Sequence, residues 1–174
     1  MGKDLNGMKW LLVDQIQDLT IGVVSVRRKL EELDPSRMAN ELVWFKRMCD
    51  IYLIISLAKL FEICDKYGKE INGFPDPIRS DLRDLKAEIE RKKIYQYRSK
   101  YGAHIFDKDT GKPISLQKGE ELFGKIVGLD LLEYLNFYEW IFPNEGYETK
   151  KSVLKTIESA RDYLISIGVS GERP

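Results

Sequence analysis

The sequence predicts an all-α protein, an up-and-down bundle of five or six helices, and three observations carry that expectation. Apolar residues recur at steps of three and four over long stretches. Pro, Gly and Asn stand where those stripes stop, and no stretch alternates convincingly with a period of two, so no sheet is expected. The chain has 174 residues, 43% of them apolar and 11% aromatic, enough to build one core. The expected organisation is a single helical domain over 1–174, with about 116–174 read as a C-terminal helical extension of it.

Ile16, Leu19, Val23, Val26, Leu30 and Leu33 form the stripe of a first helix over about 4–33, with Gly22 a weak point inside it. Asp34-Pro35-Ser36 breaks the stripe; Asp34 can cap the next helix, with Pro35 in its first turn. The second helix runs to about Tyr67, before Gly68. It carries Leu42, Phe45, Cys49, Tyr52, Ile55, Leu60 and Ile63, with further apolar residues on its other faces, which places it at the centre of the bundle. Its most apolar part, Ile51 to Ile63, spans 13 residues and contains Lys59. A membrane-spanning helix needs about 20 residues, so this is a core helix and no membrane is expected.

Asn72-Gly73-Phe74-Pro75 reads as a turn and Asp76-Pro77 as the opening of a third helix, whose stripe is Ile78, Leu82, Leu85 and Ile89. That helix is expected to run on through Arg91 to His104, before a loop at 107–115 around Thr110-Gly111. Two further helices follow at about 116–127 and 130–142, parted near Gly128 and stopped by Pro143. Val153, Ile157, Ala160, Leu164 and Ile167 mark a last one at about 149–167.

Charge and composition exclude several function classes. The 28 Lys and Arg balance the 28 Asp and Glu, which excludes a uniformly basic nucleic-acid binder. Two cysteines cannot make a disulfide framework, and they favour a reducing, cytoplasmic setting. Cys49 and Cys64 share a helix at a rise of about 22 Å, so they do not bridge and are expected to pack as small hydrophobes. The start, Met1-Gly2-Lys3-Asp4, lacks the apolar run of a secretory signal.

A single histidine narrows the chemistry. Any histidine-based acid–base step uses His104, or a second copy of the chain contributes another. One histidine and two distant cysteines do not make a zinc site. Asp107-Lys108-Asp109-Thr110-Gly111 lacks the third acid of a calcium loop, and Lys118 stands where the closing Glu belongs. No phosphate-binding glycine motif is present, so neither metal nor cofactor is expected. From Arg91 to Phe106 the chain carries five Lys and Arg and no acid, interleaved with Tyr95, Tyr97 and Tyr101. That pattern suits phosphate contact and base stacking. It also suits a solvated helix end whose cations complement the macrodipole.

The run Tyr97-Arg98-Ser99-Lys100-Tyr101-Gly102-Ala103-His104-Ile105-Phe106-Asp107 resembles the Arg…Ala-His signature of the HEPN (higher eukaryotes and prokaryotes nucleotide-binding) superfamily, and is most similar to its abortive-infection branch. The resemblance is specific over about 20 residues and architectural over about 100. It implies a metal-independent endoribonuclease, of a toxin or phage-defence kind, working as a homodimer on RNA and paired with an antitoxin or nucleotidyltransferase partner. It further implies that His104 deprotonates a ribose 2′-hydroxyl or protonates the leaving oxygen. Arg98 would bind the scissile phosphate and stabilise its growing charge. The chain departs from the pattern at Ser99, where Asn, Asp or His is commoner, and at Phe106, so regulation through a tyrosine there is not expected. Inactive relatives leave an alternative: a non-catalytic nucleotide- or RNA-binding module, or a helical interaction module.

On an unbroken helix Arg98 and His104 would lie about 120° apart, so either the helix loosens at Gly102 or a second subunit completes the site. Tyr97, Lys100, Tyr101 and His104 would share a face, which makes Lys100 and Tyr97, together with Lys93, the expected RNA contacts. The opposite charge lies in 119–148, with seven acids, one base and seven aromatics. That segment is read as amphipathic helices with a polar outer face, or as a protein-contact surface. The overall balance therefore sums a local +5 and a local −6.

Overall fold

The three-and-four stripes become helices that bury most of the residues they mark, while Leu30, Tyr52 and Ile167 stay exposed. The computed structural model describes residues 4–32, 39–102 and 115–173. Helix α1, Leu5–Glu32, buries Met8, Leu12, Leu19, Val23 and Val26. Gly22 is no weak point within it. A Cβ there would stand 2.6 Å from Leu53 Cδ2 of α2, Ala39–Lys66, so the missing side chain lets the two longest helices touch. Leu53, Ile54, Leu57, Ala58 and Leu60 are all 0% exposed, which makes α2 the central helix, as its all-round apolarity requires. Cys49 and Cys64 are buried free thiols, and burial pushes both upward, Cys64 to about 12.

Past Tyr67 the chain does not go straight into a turn. Gly68–Ile71 adds a single helical turn, α3, and Ile71 and Phe74 fold back into the core before α4, Asp76–Arg91, with Pro77 in its first turn.

The expected continuous third helix is also corrected. Lys93 adopts a left-handed backbone, φ 58°, and the chain restarts as α5, Ile94–Tyr97, followed by a π-helical turn, Arg98–Gly102. The cause is phase. Ile94 lies five residues past Ile89, about 140° round an unbroken helix, and would face solvent there. The break turns Ile94 inward, fully buried, with Tyr97 beside it. A left-handed non-glycine residue costs about 1–2 kcal/mol, comparable to what burying a large aliphatic side chain contributes.

The last three helices are α6, Leu116–Val127, α7, Leu131–Ile141, and α8, Val153–Ser166. Their starts are set by side-chain caps: Ser115 accepts from Lys118 N, Asp130 from Glu133 N at 2.9 Å, and Ser152 from Lys155 N at 3.2 Å. Gly128, φ 109°, ends α6 where the sequence breaks.

Helix α1 packs on α2, α7 and α8; α2 also meets α4 and α5; α4 closes on α8, and α6 links α5 to α7. The C-terminal tail is held on α1, where Lys9 Nζ donates to the Val169 and Gly171 carbonyls at 3.2 and 3.0 Å. Among the described residues there is no strand, and no helix is long and apolar enough to cross a membrane. Among the described residues, six helices of eleven residues or more stand where helices were expected; α3, α5 and the π turn were not expected as separate elements.

Candidate nucleic-acid interface

The segment carrying the basic residues is anchored from below. Ile94 is 0% and Tyr97 6% exposed; the Tyr97 ring stacks on Tyr101 at 5.9 Å and tilts against Phe123 of α6 at 5.8 Å. Burial pushes the Tyr97 phenol upward. Tyr97 is thus enclosed between α5 and α6 and serves as packing, not as an open stacking face for a base. The helical face expected to unite it with Lys100 is split by the π turn: Lys100 is exposed, as is Lys93.

Arg98 opens that π turn, where the change to i→i+5 bonding widens the backbone. Its side chain is 37% exposed and makes an ion pair with Glu62 Oε1 of α2 at 3.3 Å. Ser99, at the position where the family pattern has other polar residues, donates its hydroxyl to the Gln96 carbonyl at 3.2 Å. The loosening expected at Gly102 therefore begins earlier, at Arg98. His104 and the loop expected at 107–115, up to residue 114, lie outside the described residues.

Sequence reasoning missed one member of this surface and passed over another that it had named. Glu62 lies on another helix, and nothing in a linear pattern ties it to Arg98. Tyr95 could have been found by allowing for the break: once Ile94 and Tyr97 point inward, the residue between them points out. Tyr95 is 37% exposed, and its ring rests on Phe61 at 5.2 Å.

A second polar centre lies deeper. Asp50, fully buried, accepts from Tyr138 OH at 2.6 Å, from Tyr134 OH at 3.4 Å and from Lys46 Nζ at 2.9 Å. Burial, and then the Asp50 carboxylate, push both phenols far above their usual range. Closer to the basic segment, Arg47 holds Glu120 through two hydrogen bonds and lies over the Phe123 ring, and the guanidinium keeps that carboxyl below the usual range. Among the described residues no group of three or more His, Cys, Asp or Glu side chains is placed to hold a metal ion. The segment at 119–148 forms two helices that bury Phe137 and Tyr138, two of the aromatics read as interface anchors, and leaves Leu129, Leu131 and Leu132 exposed instead.

No family model and no curated protein matches the sequence. Among solved structures the chain is similar to an integron cassette protein from the mobile metagenome of V. paracholerae. The TM-score is 0.70 and the identity 23%, over 93% of this chain and 96% of that one. At this identity the likeness concerns the fold alone.

Proposed function

We propose that the protein is a HEPN-type endoribonuclease that cleaves RNA with Arg98 and His104, on an up-and-down helical bundle working in the cytoplasm as a toxin or defence effector. The observation that carries this reading is the presentation of Arg98. A half-open guanidinium stands at the first residue of a π turn, on a segment whose Ile94 and Tyr97 are fixed in the core. Functional groups need rigid support, and π turns recur at functional sites.

In the proposed reaction the ribose 2′-oxygen attacks the adjacent phosphorus while the bond from phosphorus to the 5′-oxygen breaks. His104 takes the 2′-hydroxyl proton or gives one to the departing oxygen, and Arg98 neutralises the phosphate oxygens as charge grows on them. The products are a 2′,3′-cyclic phosphate and a 5′-hydroxyl. Lys93 and Lys100, both exposed, provide further phosphate contact. The exposed leucines of α6 and α7 support a protein partner, whether a second copy, an antitoxin or a nucleotidyltransferase.

Purified protein should cut cellular RNA in EDTA, leave cyclic phosphate ends, and lose the cut on His104→Ala. Equal cutting by the variant removes the assignment. The Glu62–Arg98 ion pair favours one second reading, a module that binds RNA without cleaving it, because the carboxylate competes with phosphate for the guanidinium. That reading expects salt-sensitive binding with no cyclic phosphate.

A further inference from the structure

We infer that the groove between α2 and α4 is the track along which single-stranded RNA reaches Arg98. The inference rests on the ribonuclease reading for what happens at Arg98, and on the groove's own chemistry for the rest. A groove of about 420 Å³, within the range of ligand sites, is lined by Cys64, Asp65, Lys69, Asn72, Arg83 and Lys86 among others. Three cations face one carboxylate there. Lys86 donates to Asp65 at 2.7 Å and Arg83 to Asn72 Oδ1 at 2.8 Å. Such exposed pairs are worth about 0–1 kcal/mol, so a phosphate displaces them at little cost.

A chain of contacts along the surface joins the groove to the candidate site. Lys86 Nζ lies 5.1 Å from the centroid of Phe61; Phe61 supports Tyr95; and Glu62, the next residue on α2, holds Arg98. Asp65 is three residues beyond Glu62, about 4.5 Å of helical rise, so groove and guanidinium are near neighbours. The negative groups facing this track are Glu62, Asp65 and Glu90, the last on the same face of α4 as Arg83 and Lys86. They leave the positive excess at the groove end.

Tyr95 decides the class of nucleic acid. A partly open ring beside a phosphate groove can stack only a base that is not paired, and stacking of this kind is indifferent to sequence. Duplex RNA offers no free base face there.

The test uses fluorescein-labelled 2′-O-methyl oligouridylate of twelve nucleotides, which no 2′-hydroxyl mechanism can cut, titrated with the full chain at several salt concentrations. Lys69→Ala/Arg83→Ala/Lys86→Ala should weaken binding about tenfold or more and lower the log–log salt slope by about 2. Tyr95→Ala should weaken it about fivefold or more. Lys125→Ala, an exposed cation on α6, should bind like wild type. The single groove variants keep the measurement readable if the triple one unfolds. Groove variants that bind like wild type, or a blunt RNA duplex that binds as tightly as the single strand, overturn the inference. Groove-dependent binding by a protein that never cuts RNA leaves the track standing and removes the ribonuclease. Cutting by a protein whose groove variants bind normally does the reverse.

Discussion

The two charged segments of the chain, 91–106 and 119–148, treat their charges in opposite ways. Five of the seven acids of the second are held by contacts across or at the ends of its helices. Glu120 holds Arg47, Asp130 caps α7, Glu133 accepts from Leu129 N, Glu139 pairs with Arg27 at 3.2 Å, and Glu148 pairs with Lys155 at 2.6 Å. In the first, the opening cations are occupied in this way: Arg91 grips Glu88, and Lys92 leans over Trp140. Lys93 and Lys100 stand exposed, and Arg98 has one surface ion pair. Charge that folding uses is poor evidence of a ligand, and charge held out on a rigid support is better evidence. The net balance of zero hides that difference.

The largest expected effect is at Arg98. Arg98→Ala should lower RNA cleavage by about 10²–10³-fold, as loss of one preorganised donor does, while the melting temperature stays within a degree or two of wild type. Arg98→Lys should recover little, since an ammonium cannot hold two phosphate oxygens in a planar fork. A variant that melts early and cuts normally would show that Arg98 belongs with the structural charges, and the comparison would fail.

How much of this was legible depends on which elements speak for themselves. The stripes of α1, α2, α4 and α8 are local and strong, and the helix expected at about 116–127 ends at the glycine that breaks it, Gly128. The break at Lys93 was not legible, because no Gly or Pro marks it. It is imposed from outside, by the pull of Ile94 and Tyr97 into a core that other helices build. That single long-range effect also moved the site: it buried Tyr97, exposed Tyr95, and brought Arg98 to Glu62. Lys93 and Lys100 could be named from the basic run, and Arg98 from the resemblance around it. Their partners on α2 and α4 could not, since helix pairing is a tertiary fact.

The middle effect probes the other side of the contrast. Tyr138→Phe removes the 2.6 Å donor to fully buried Asp50 and leaves a carboxylate oxygen poorly satisfied, which costs about 1–3 kcal/mol. Urea unfolding should report that loss with an unchanged m-value, and RNA cleavage at 25 °C should be untouched. Reduced cleavage in a variant of full stability would place the α7 aromatics in function instead.

The smallest effect is the most diagnostic of how the acids are used. Arg47 holds the Glu120 carboxyl below its ordinary value of 4.5 in the folded chain, chiefly through their hydrogen bonds. A carboxyl with a lowered folded value contributes stability above its unfolded value, and that contribution disappears as pH falls through the folded one. Glu120→Gln should therefore cost at most about 1 kcal/mol at pH 7, given an exposed pair, and the difference from wild type should shrink on acidification below pH 4.5. Glu88, lowered by Arg91, titrates in the same direction in both proteins and cancels from the difference. The readout is the urea midpoint of each protein across pH 3–7. If the two midpoints keep a constant gap into acid, the Arg47–Glu120 pair does not stabilise the fold through charge. The α6 acids would then have to be counted, like Lys93 and Lys100, among the charges folding leaves free.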